Sequence, residues 1–338
     1  MASLIYANIS EKFPCLSKAE LISLLGKNAQ FKEVASFTGM EIFEIGDVNE
    51  AIKAQRYSST IKSVGMLSLI IDSVGEVKFF ECLGLPKDVE VKRIQGMNRG
   101  LRREKAVKKV IEIIDRECGT ATLEHRGGPL EVFLTDGVVI AGVQLSAEGK
   151  GEIMQKNPHN LPFYKPGALN PWYARLLVNL ASPDMGKVLL DPFCGTATIP
   201  LAASEVWGVE SLCSDIRRDM CAGAKKNLES LSKTPYEVIR ADASFLPLRG
   251  GSFSYAVSDP PYNRSVRSLY SNASDLISRA NQQIYDLIRP GGIVVLSVDE
   301  GLALKMKVPD GFEVRFRCPM YVHNRLTRTI MVMVKTRL

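Results

Sequence analysis

Val188-Leu189-Leu190-Asp191-Pro192-Phe193-Cys194-Gly195-Thr196-Ala197-Thr198-Ile199 decides how the rest of this chain is read. The apolar run predicts a buried strand, Gly195 a tight turn, and the small residues after it the opening of a helix. Such a turn lets a nucleoside-bearing ligand approach the backbone closely. Downstream, Glu210-Ser211-Leu212-Cys213-Ser214-Asp215 predicts a second short strand ending in an acid. Asp215 stands roughly 20 residues past the Gly turn, where a carboxylate can pair with ribose hydroxyls. Glu237 to Ala241 predicts a third strand, with Asp242 at its end, near the base of such a ligand. Taken alone, Asp242 equally suits a helix N-cap or a turn. Tyr255-Ala256-Val257 predicts a fourth strand, and Asp259-Pro260-Pro261-Tyr262 follows it.

In an open α/β sheet the carboxyl edge of the strands is where ligands bind. The four residues at that edge suit a flat base whose exocyclic amine is to be methylated. The lone pair of that amine is delocalised into the ring, so it is a poor nucleophile. A carboxylate (Asp259) and a backbone carbonyl held by two prolines each accept one N–H, which aims the lone pair outward. Tyr262 can stack on the base. A Pro-rich turn with a capping Asp and a core Tyr is the plainer alternative. Cys194 lies inside the Gly turn, but no His is near it in sequence, so a small packing residue is the better reading.

Composition sets wider bounds. With 338 residues the chain is long enough for two domains with their own cores. Hydrophobic content of 46% and charged content of 24% are ordinary for globular proteins. No run reaches the roughly 18 apolar residues of a membrane span, and the start lacks a charged-then-apolar leader pattern, so a cytoplasmic protein is expected. The seven cysteines are odd in number and include no C-x-x-C pair, so neither disulfides nor a structural metal site is expected. His323 has no second ligand at workable spacing, and no metal is expected anywhere. Nothing indicates a protein partner.

The net charge of +6 is modest, but its distribution is uneven. Lys92, Arg93, Arg99, Arg102, Arg103, Lys105, Lys108 and Lys109 are accompanied by one acid, Glu104, between Lys92 and Lys109. Such a run is either a solvated helix face or a phosphate-binding one.

Toward the N-terminus, Ser17-Lys18-Ala19-Glu20 has the form of a capping box opening a helix that runs through Leu25 and stops at Gly26. Phe31 to Phe37 and Met40 to Ile45 read as strands about Thr38-Gly39. Residues 1–46 thus predict a small α+β cap. The pattern restarts over 47–145. A helix precedes Tyr57, a strand runs from Ile61 to Ile71, a helix lies near Val77 to Leu83, and a strand runs from Val89 to Ile94. The basic helix Leu101 to Asp115 follows, then a hairpin of Leu130 to Leu134 and Val138 to Gln144 about Asp136-Gly137. Residues 146–160 are polar and aperiodic, as a linker is. The second domain, 161–338, carries a helix capped by Asn170-Pro171, and Pro290-Gly291-Gly292 marks a turn into a fifth strand. Phe312 to Phe316 and Thr329 to Val334 predict two last strands that pair as a hairpin, adding an antiparallel member. Trp172 and Trp207 suit packing positions.

The ordered set of Gly turn, acid, acid and Asp-Pro-Pro-Tyr resembles the class I S-adenosylmethionine-dependent methyltransferases, in their amino-group-methylating branch. Lys165-Pro166-Gly167-Ala168-Leu169-Asn170-Pro171, Ala174 to Leu180, Val322-His323-Asn324-Arg325-Leu326-Thr327-Arg328, and Arg264-Ser265 after Tyr262 narrow this. Together they resemble the archaeal-type THUMP-domain tRNA guanosine-10 methyltransferases. The resemblance implies a Rossmann-like domain with a seven-stranded, mostly parallel sheet, preceded by a cap and a THUMP-like RNA-binding domain. It implies S-adenosylmethionine held by Asp191, Pro192, Phe193, Cys194, Gly195, Thr196, Asp215, Asp242 and Asp259, and catalysis by Asp259, Pro260, Pro261 and Tyr262. The implied partner is tRNA, contacted by the basic run above and by His323, Arg325 and Arg328, with methylation of a guanine 2-amino group. The His323 to Arg328 segment also suits an exposed hairpin. Two residues depart from the family pattern, which has glycine at the positions of Ala197 and Asn263. A methyl at 197 is expected to narrow the approach of the cofactor. Rival readings are the same chemistry at tRNA position 6, on rRNA, on DNA adenine or on a glutamine side chain, and a catalytically silent tRNA-binding protein.

Overall fold

The computed structural model describes residues 2–26, 30–83, 89–93, 103–118, 128–147, 158–261, 273–324 and 326–336. The chain forms two compact units, Met1–Lys150 and Gly151–Leu338. Their boundary falls inside the expected 146–160 linker, of which residues 148–157 lie outside the described ones.

Unit 1 contains β1 (Ser3–Ile9), α1 (Pro14–Leu25), β2 (Phe31–Phe37), β3 (Met40–Ile45), α2 (Val48–Tyr57), β4 (Ile61–Ile71), β5 (Val77–Phe80), β6 (Val89–Arg93), α3 (Arg103–Cys118), β7 (Leu130–Thr135) and β8 (Val138–Ser146). One sheet runs β2-β3-β1-β4-β8-β7-β6, with β5 pairing β4. It crosses position 46/47 without a break, because β1 joins β3 on one side and β4 on the other. The cap and the module after it therefore share a sheet. β1 escapes sequence reading because its middle alternates too little: Ile5 to Ile9 are all buried. The Tyr6 ring fits there because Gly65 and Gly142 have no side chains; a Cβ at either would come within 3 Å of it. The Tyr6 hydroxyl donates to the fully buried Glu131, which also accepts from Ser63 and Gln144.

Three expectations for unit 1 are corrected. The segment Val77 to Phe80 is a strand and not a helix. Asp72 Oδ1 accepts the amides of Val74 and Glu76, and Gly75 at φ 88° closes a hairpin back onto β4. Helix α1 begins at Pro14, so Ser17 and Glu20 lie inside it and form no capping box. Instead Ser17 donates to the Ser10 carbonyl. Glu20 is fully buried and accepts from Ser58 Oγ, the Ser59 and Thr60 amides and Thr60 Oγ1, which fastens the α2–β4 turn to α1. Finally, Cys82 and Cys118 form a disulfide, with their Cα atoms 5.7 Å apart. They stand 36 residues apart, and only the fold brings the segment after β5 to the end of α3.

Helix α3 is amphipathic in the expected way. Ala106, Val110, Ile113 and Ile114 pack on the sheet, while Lys105, Lys108 and Lys109 are exposed. Lys92 and Arg93 lie on β6, and Arg103 opens α3. Arg99 and Arg102 lie outside the described residues.

Unit 2 contains α4 (Pro171–Ala181), β9 (Val188–Asp191), α5 (Thr198–Trp207), β10 (Glu210–Asp215), α6 (Arg218–Leu231), β11 (Tyr236–Arg240), β12 (Phe253–Ser258), α7 (Ala273–Leu287), β13 (Ile288–Asp299), α8 (Glu300–Lys305), β14 (Phe312–His323) and β15 (Leu326–Lys335). The sheet order is β11-β10-β9-β12-β13-β15-β14. β10, β9, β12 and β13 pair parallel with their neighbours on that side, and β15 is antiparallel to both β13 and β14. The seven-stranded sheet is thus mixed, with one reversed member. All six residues of β12 are buried, as a central strand of a two-sided sheet requires. Strand order reverses between β9 and β12, the crevice where open α/β sheets bind ligands.

Two strand boundaries differ from expectation. Pro290-Gly291-Gly292 does not precede the fifth strand but bulges within β13, where the pairing jumps from Phe253↔Ile288 to Tyr255↔Ile293 and Gly291 takes φ 77°. The last hairpin is longer than predicted, so that Arg328 pairs in register with Asp299 at the carboxyl end of β13.

Truncating Glu20→Ala removes the shared acceptor of two amides and two hydroxyls, of which the Thr60 amide keeps Ser58 Oγ. At about 1–3 kcal/mol per stranded donor, the urea midpoint of unit 1 should fall by the equivalent of ~3 kcal/mol or more. A change below 1 kcal/mol, the level of a surface substitution, would mean that the α2–β4 turn does not depend on this carboxylate.

Candidate active site

The carboxyl ends of β9, β10, β11 and β12 open into one cavity of about 1280 Å³. It is lined by the whole of Asp191 to Thr196, by Asp215 and Asp242, and by Asp259, Pro260 and Pro261. Every cofactor-site residue expected from the sequence therefore meets at a single place. Tyr262, Asn263, Arg264 and Ser265 lie outside the described residues.

The Gly turn is built around its acids. Asp191 is buried at the end of β9, and its Oδ1 accepts from Ser258 Oγ at 2.6 Å and from the Phe193 amide at 3.2 Å. Burial lifts its pKa to about 7 against the lowering effect of those two hydrogen bonds. Asp215 accepts the Gly195 amide at 3.2 Å and the Arg217 amide at 2.9 Å, and so ties the turn to the end of β10. Burial raises its pKa as well. Gly195 takes φ 50°, and a Cβ there meets nothing within 4 Å, which leaves the turn open toward the cavity. Behind it, Asn227 on α6 donates to the Thr196 carbonyl and is bonded to both backbone groups of Phe163. This holds the segment before α4 beside the turn, and Lys165 to Leu169 form part of the cavity wall.

Ala197 does not act as expected. Its backbone is left-handed, φ 63°, the conformation that favours glycine. Its methyl is fully buried in a cluster with Leu201, Cys213, Ala224 and Leu228, and it is absent from the cavity lining. The departure from glycine is accommodated in the core rather than at the ligand. Cys194 packs in the same cluster, and its thiol pKa is raised well above the usual range by a hydrogen bond with Cys213 and by burial, as suits a packing residue. Asp242 lines the cavity and also closes a turn, accepting from the Ser244 amide and hydroxyl. Neither tryptophan lines the cavity; Trp207 bonds Asn179 through its indole N–H.

Asp259 directly follows β12 and is held from three further elements. Oδ1 accepts from Ser297 Oγ on β13 at 2.5 Å, and the hydroxyl of Tyr173 on α4 donates to Ser297 at 2.7 Å. Oδ2 faces Arg328 Nη2 on β15 at 3.4 Å. The Arg328 guanidinium also lies over the Tyr173 ring, 4.8 Å from its centroid. Arg328 is only 16% exposed and lines the cavity, so it does not sit on an exposed hairpin face. His323 is exposed at the end of β14, and Arg325 lies outside the described residues. Sequence reading missed Ser258, Ser297 and Tyr173. Ser258 was detectable as the residue before the acid, but Ser297 and Tyr173 are joined to it only by strand pairing and helix placement. Among the described residues no group of three or more His, Cys, Asp or Glu is placed to hold a metal, and no described helix is long and apolar enough to cross a membrane.

A parallel sheet reversed at β15, with its ligand cavity at the strand ends and a carboxylate followed by two prolines on its rim, has the architecture of a class I methyltransferase domain. The chain belongs to the UPF0020 family, described as an RMKL-like methyltransferase domain, whose match spans residues 158–330. It is 28% identical over 331 residues to the tRNA (guanine(10)-N2)-dimethyltransferase of Methanothermobacter thermautotrophicus, covering 96% of this chain and 97% of that one. It is likewise 28% identical over 322 residues to the Pyrococcus abyssi protein of the same name, covering 86% and 96%. The crystal structure of TrmN from Thermus thermophilus has the same fold, with a TM-score of 0.54 at 20% identity over 98% of this chain and 99% of that one.

The raised pKa of Asp191 has a signed consequence. The folded state favours the neutral acid, so its stabilising contribution is complete below about pH 4, the ordinary carboxylate range, and is lost as pH rises through about 7. The melting temperature of the wild type relative to Asp191→Asn should therefore fall between pH 4 and pH 7 and level off above. A difference that stays flat across this window would show Asp191 to be ionised throughout.

Proposed function

We propose that this chain transfers a methyl group from S-adenosylmethionine to the 2-amino group of a guanosine in tRNA, at position 10. The convergence of Asp259-Pro260-Pro261 and the Asp191 to Thr196 turn on one cavity carries this reading. The full-length likeness to proteins named tRNA (guanine(10)-N2)-dimethyltransferase supports the substrate and the position, and that name suits the addition of up to two methyls.

The residues present fit the cofactor. The open face of Gly195 admits close approach to the backbone, Asp215 offers its carboxylate to ribose hydroxyls, and Asp242 stands at the base end. When bound, S-adenosylmethionine supplies a methyl activated by a sulfonium. The chain supplies the rest. Unstacking the target costs a few kcal/mol, about what other base-flipping enzymes spend. Asp259 and the Pro260 carbonyl accept the two hydrogens of the amine and fix the direction of its lone pair, so most of the gain comes from orientation. Asp259 need not be a strong base, because the amine becomes acidic as it gains the methyl. Tyr262, next along the chain, stacks on the base. Residues 47–145, preceded by the cap 1–46, serve as a THUMP-like RNA-binding domain, with Lys105, Lys108 and Lys109 offered to phosphates from the exposed face of α3. Lys92, Arg93, Arg99, Arg102, Arg103, His323 and Arg325 join them in this proposal, and the protein acts in the cytoplasm.

Labelled methyl transfer to an unmodified tRNA transcript should place the label on guanosine 10, and replacing that guanosine should abolish it. Label at guanosine 6 instead would move the target, and no transfer to any tRNA would overturn the reading. Gly195→Ala should fold, since its Cβ meets no neighbour and the left-handed backbone costs only about 1–2 kcal/mol. It should nevertheless bind S-adenosylmethionine at least about tenfold more weakly, a loss of ~1.4 kcal/mol. Unchanged affinity would place the cofactor elsewhere.

A further inference from the structure

Residues 161–169 belong to no helix or strand, yet Lys165 to Leu169 line the cavity. A segment outside any backbone ladder has to be placed by side chains. We propose that one stripe of α6, formed by Asp219, Gly223 and Asn227, places it, and that through this segment the stripe sets how tightly the methyl donor is held. The inference rests on the cofactor reading above and extends it to Gly223, Asn227 and Phe163, which do not line the cavity.

The three stripe residues are spaced four apart, so they share one face of the helix. Each meets the segment differently. Asn227 is fully buried, and its Nδ2 donates to the Phe163 carbonyl at 3.0 Å and to the Thr196 carbonyl at 2.9 Å. Its Oδ1 accepts the Phe163 amide at 2.8 Å. Both donors and the acceptor of one side chain thus join the segment to the Gly turn. One helical turn earlier, Gly223 makes room for the Phe163 ring, and a Cβ there would stand 2.0 Å from it. One turn earlier again, Asp219 Oδ2 pairs with Lys165 Nζ at 3.3 Å while also engaging Arg217. Leu161 adds an apolar contact with the cluster that contains Cys194, Ala197 and Leu201.

The Phe163 anchor lies two residues before the cavity wall begins. Displacing it shifts Lys165 to Leu169 relative to the Gly turn and loosens the site on the donor's side. Asp259, Pro260 and Pro261 are untouched by that shift. The loss therefore falls on donor affinity, through faster dissociation, and not on turnover once the donor is bound. Gly223, Asn227 and Phe163 are positioning residues for the donor.

The test uses the full chain and S-adenosylmethionine. Gly223→Ala suits the helix, because alanine is the better helix former, but its methyl displaces the Phe163 ring. It should bind the donor at least about tenfold more weakly, with a correspondingly faster dissociation rate. Phe163→Ala removes the ring and keeps both backbone bonds to Asn227, so it should lose only about threefold. Adding Gly223→Ala to Phe163→Ala should cost nothing more, since no ring is left to displace. At saturating donor, turnover on tRNA should stay within about twofold of wild type in all three. Unchanged donor affinity in Gly223→Ala would overturn the inference, as would a loss that persists in full beside Phe163→Ala, or turnover that falls as far as affinity. Should Gly223→Ala alone fail to fold, the double variant decides: affinity equal to that of Phe163→Ala supports the inference, and lower affinity overturns it. Each of these failures leaves the methyltransferase reading in place. A wild-type chain that binds no S-adenosylmethionine would remove that reading, and this inference with it.

Discussion

A carboxylate at the end of a fully buried strand must be compensated, and the way Asp259 is compensated organises the catalytic unit. An unpaired buried charge costs far more than any surface interaction returns. Four elements meet to avoid that cost: β12 supplies the acid, β13 the Ser297 hydroxyl, α4 the Tyr173 hydroxyl and ring, and β15 the Arg328 guanidinium. The reversed strand β15 earns its place in the sheet here. Only an antiparallel strand beside β13 starts at the carboxyl edge, and so only it delivers a residue close to its own beginning to the acid. The same arrangement leaves the carboxylate facing a cavity large enough for a nucleoside cofactor and a base.

The second acid, Asp191, completes the frame one strand away. Ser258, the residue before Asp259, donates to Asp191, so the last residue of β12 holds one acid of the cavity and its successor is another. The separation of these two acids is thus set at the end of a fully buried central strand. Asp215 and Asn227 hold the Gly turn in place from either side. This matches what reactions governed by orientation demand of their scaffold.

Much of this was legible in the sequence because it is local. The strand ends, the Gly turn, Asp215, Asp242 and Asp259 follow from runs of a few residues with fixed spacing. The contacts of those residues with distant ones were not legible. Ser297 and Tyr173 lie 38 and 86 positions from Asp259, and nothing in their surroundings marks them. Arg328 reads as a surface cation by its neighbours and becomes a site residue only through the register of β15 on β13. Ala197 was misjudged because a sequence shows that a glycine is missing, not which way the replacing methyl points. In unit 1 the errors have the same origin. Ser17 and Glu20 have the spacing of a capping box, yet Pro14 starts the helix earlier and frees Glu20 for the α2–β4 turn. The Cys82–Cys118 disulfide joins residues whose proximity arises only when α3 packs on the sheet.

The central claim is that Asp259 acts on the acceptor amine and not on the fold or the methyl donor. Single-turnover methyl transfer to tRNA by Asp259→Ala, measured beside S-adenosylmethionine affinity on the same preparation, tests it most directly. The expected result is transfer lost by at least about a thousandfold, the equivalent of ~4 kcal/mol of transition-state stabilisation, with donor affinity within a few-fold of wild type. Near-normal transfer, or transfer and donor binding lost together, would contradict it.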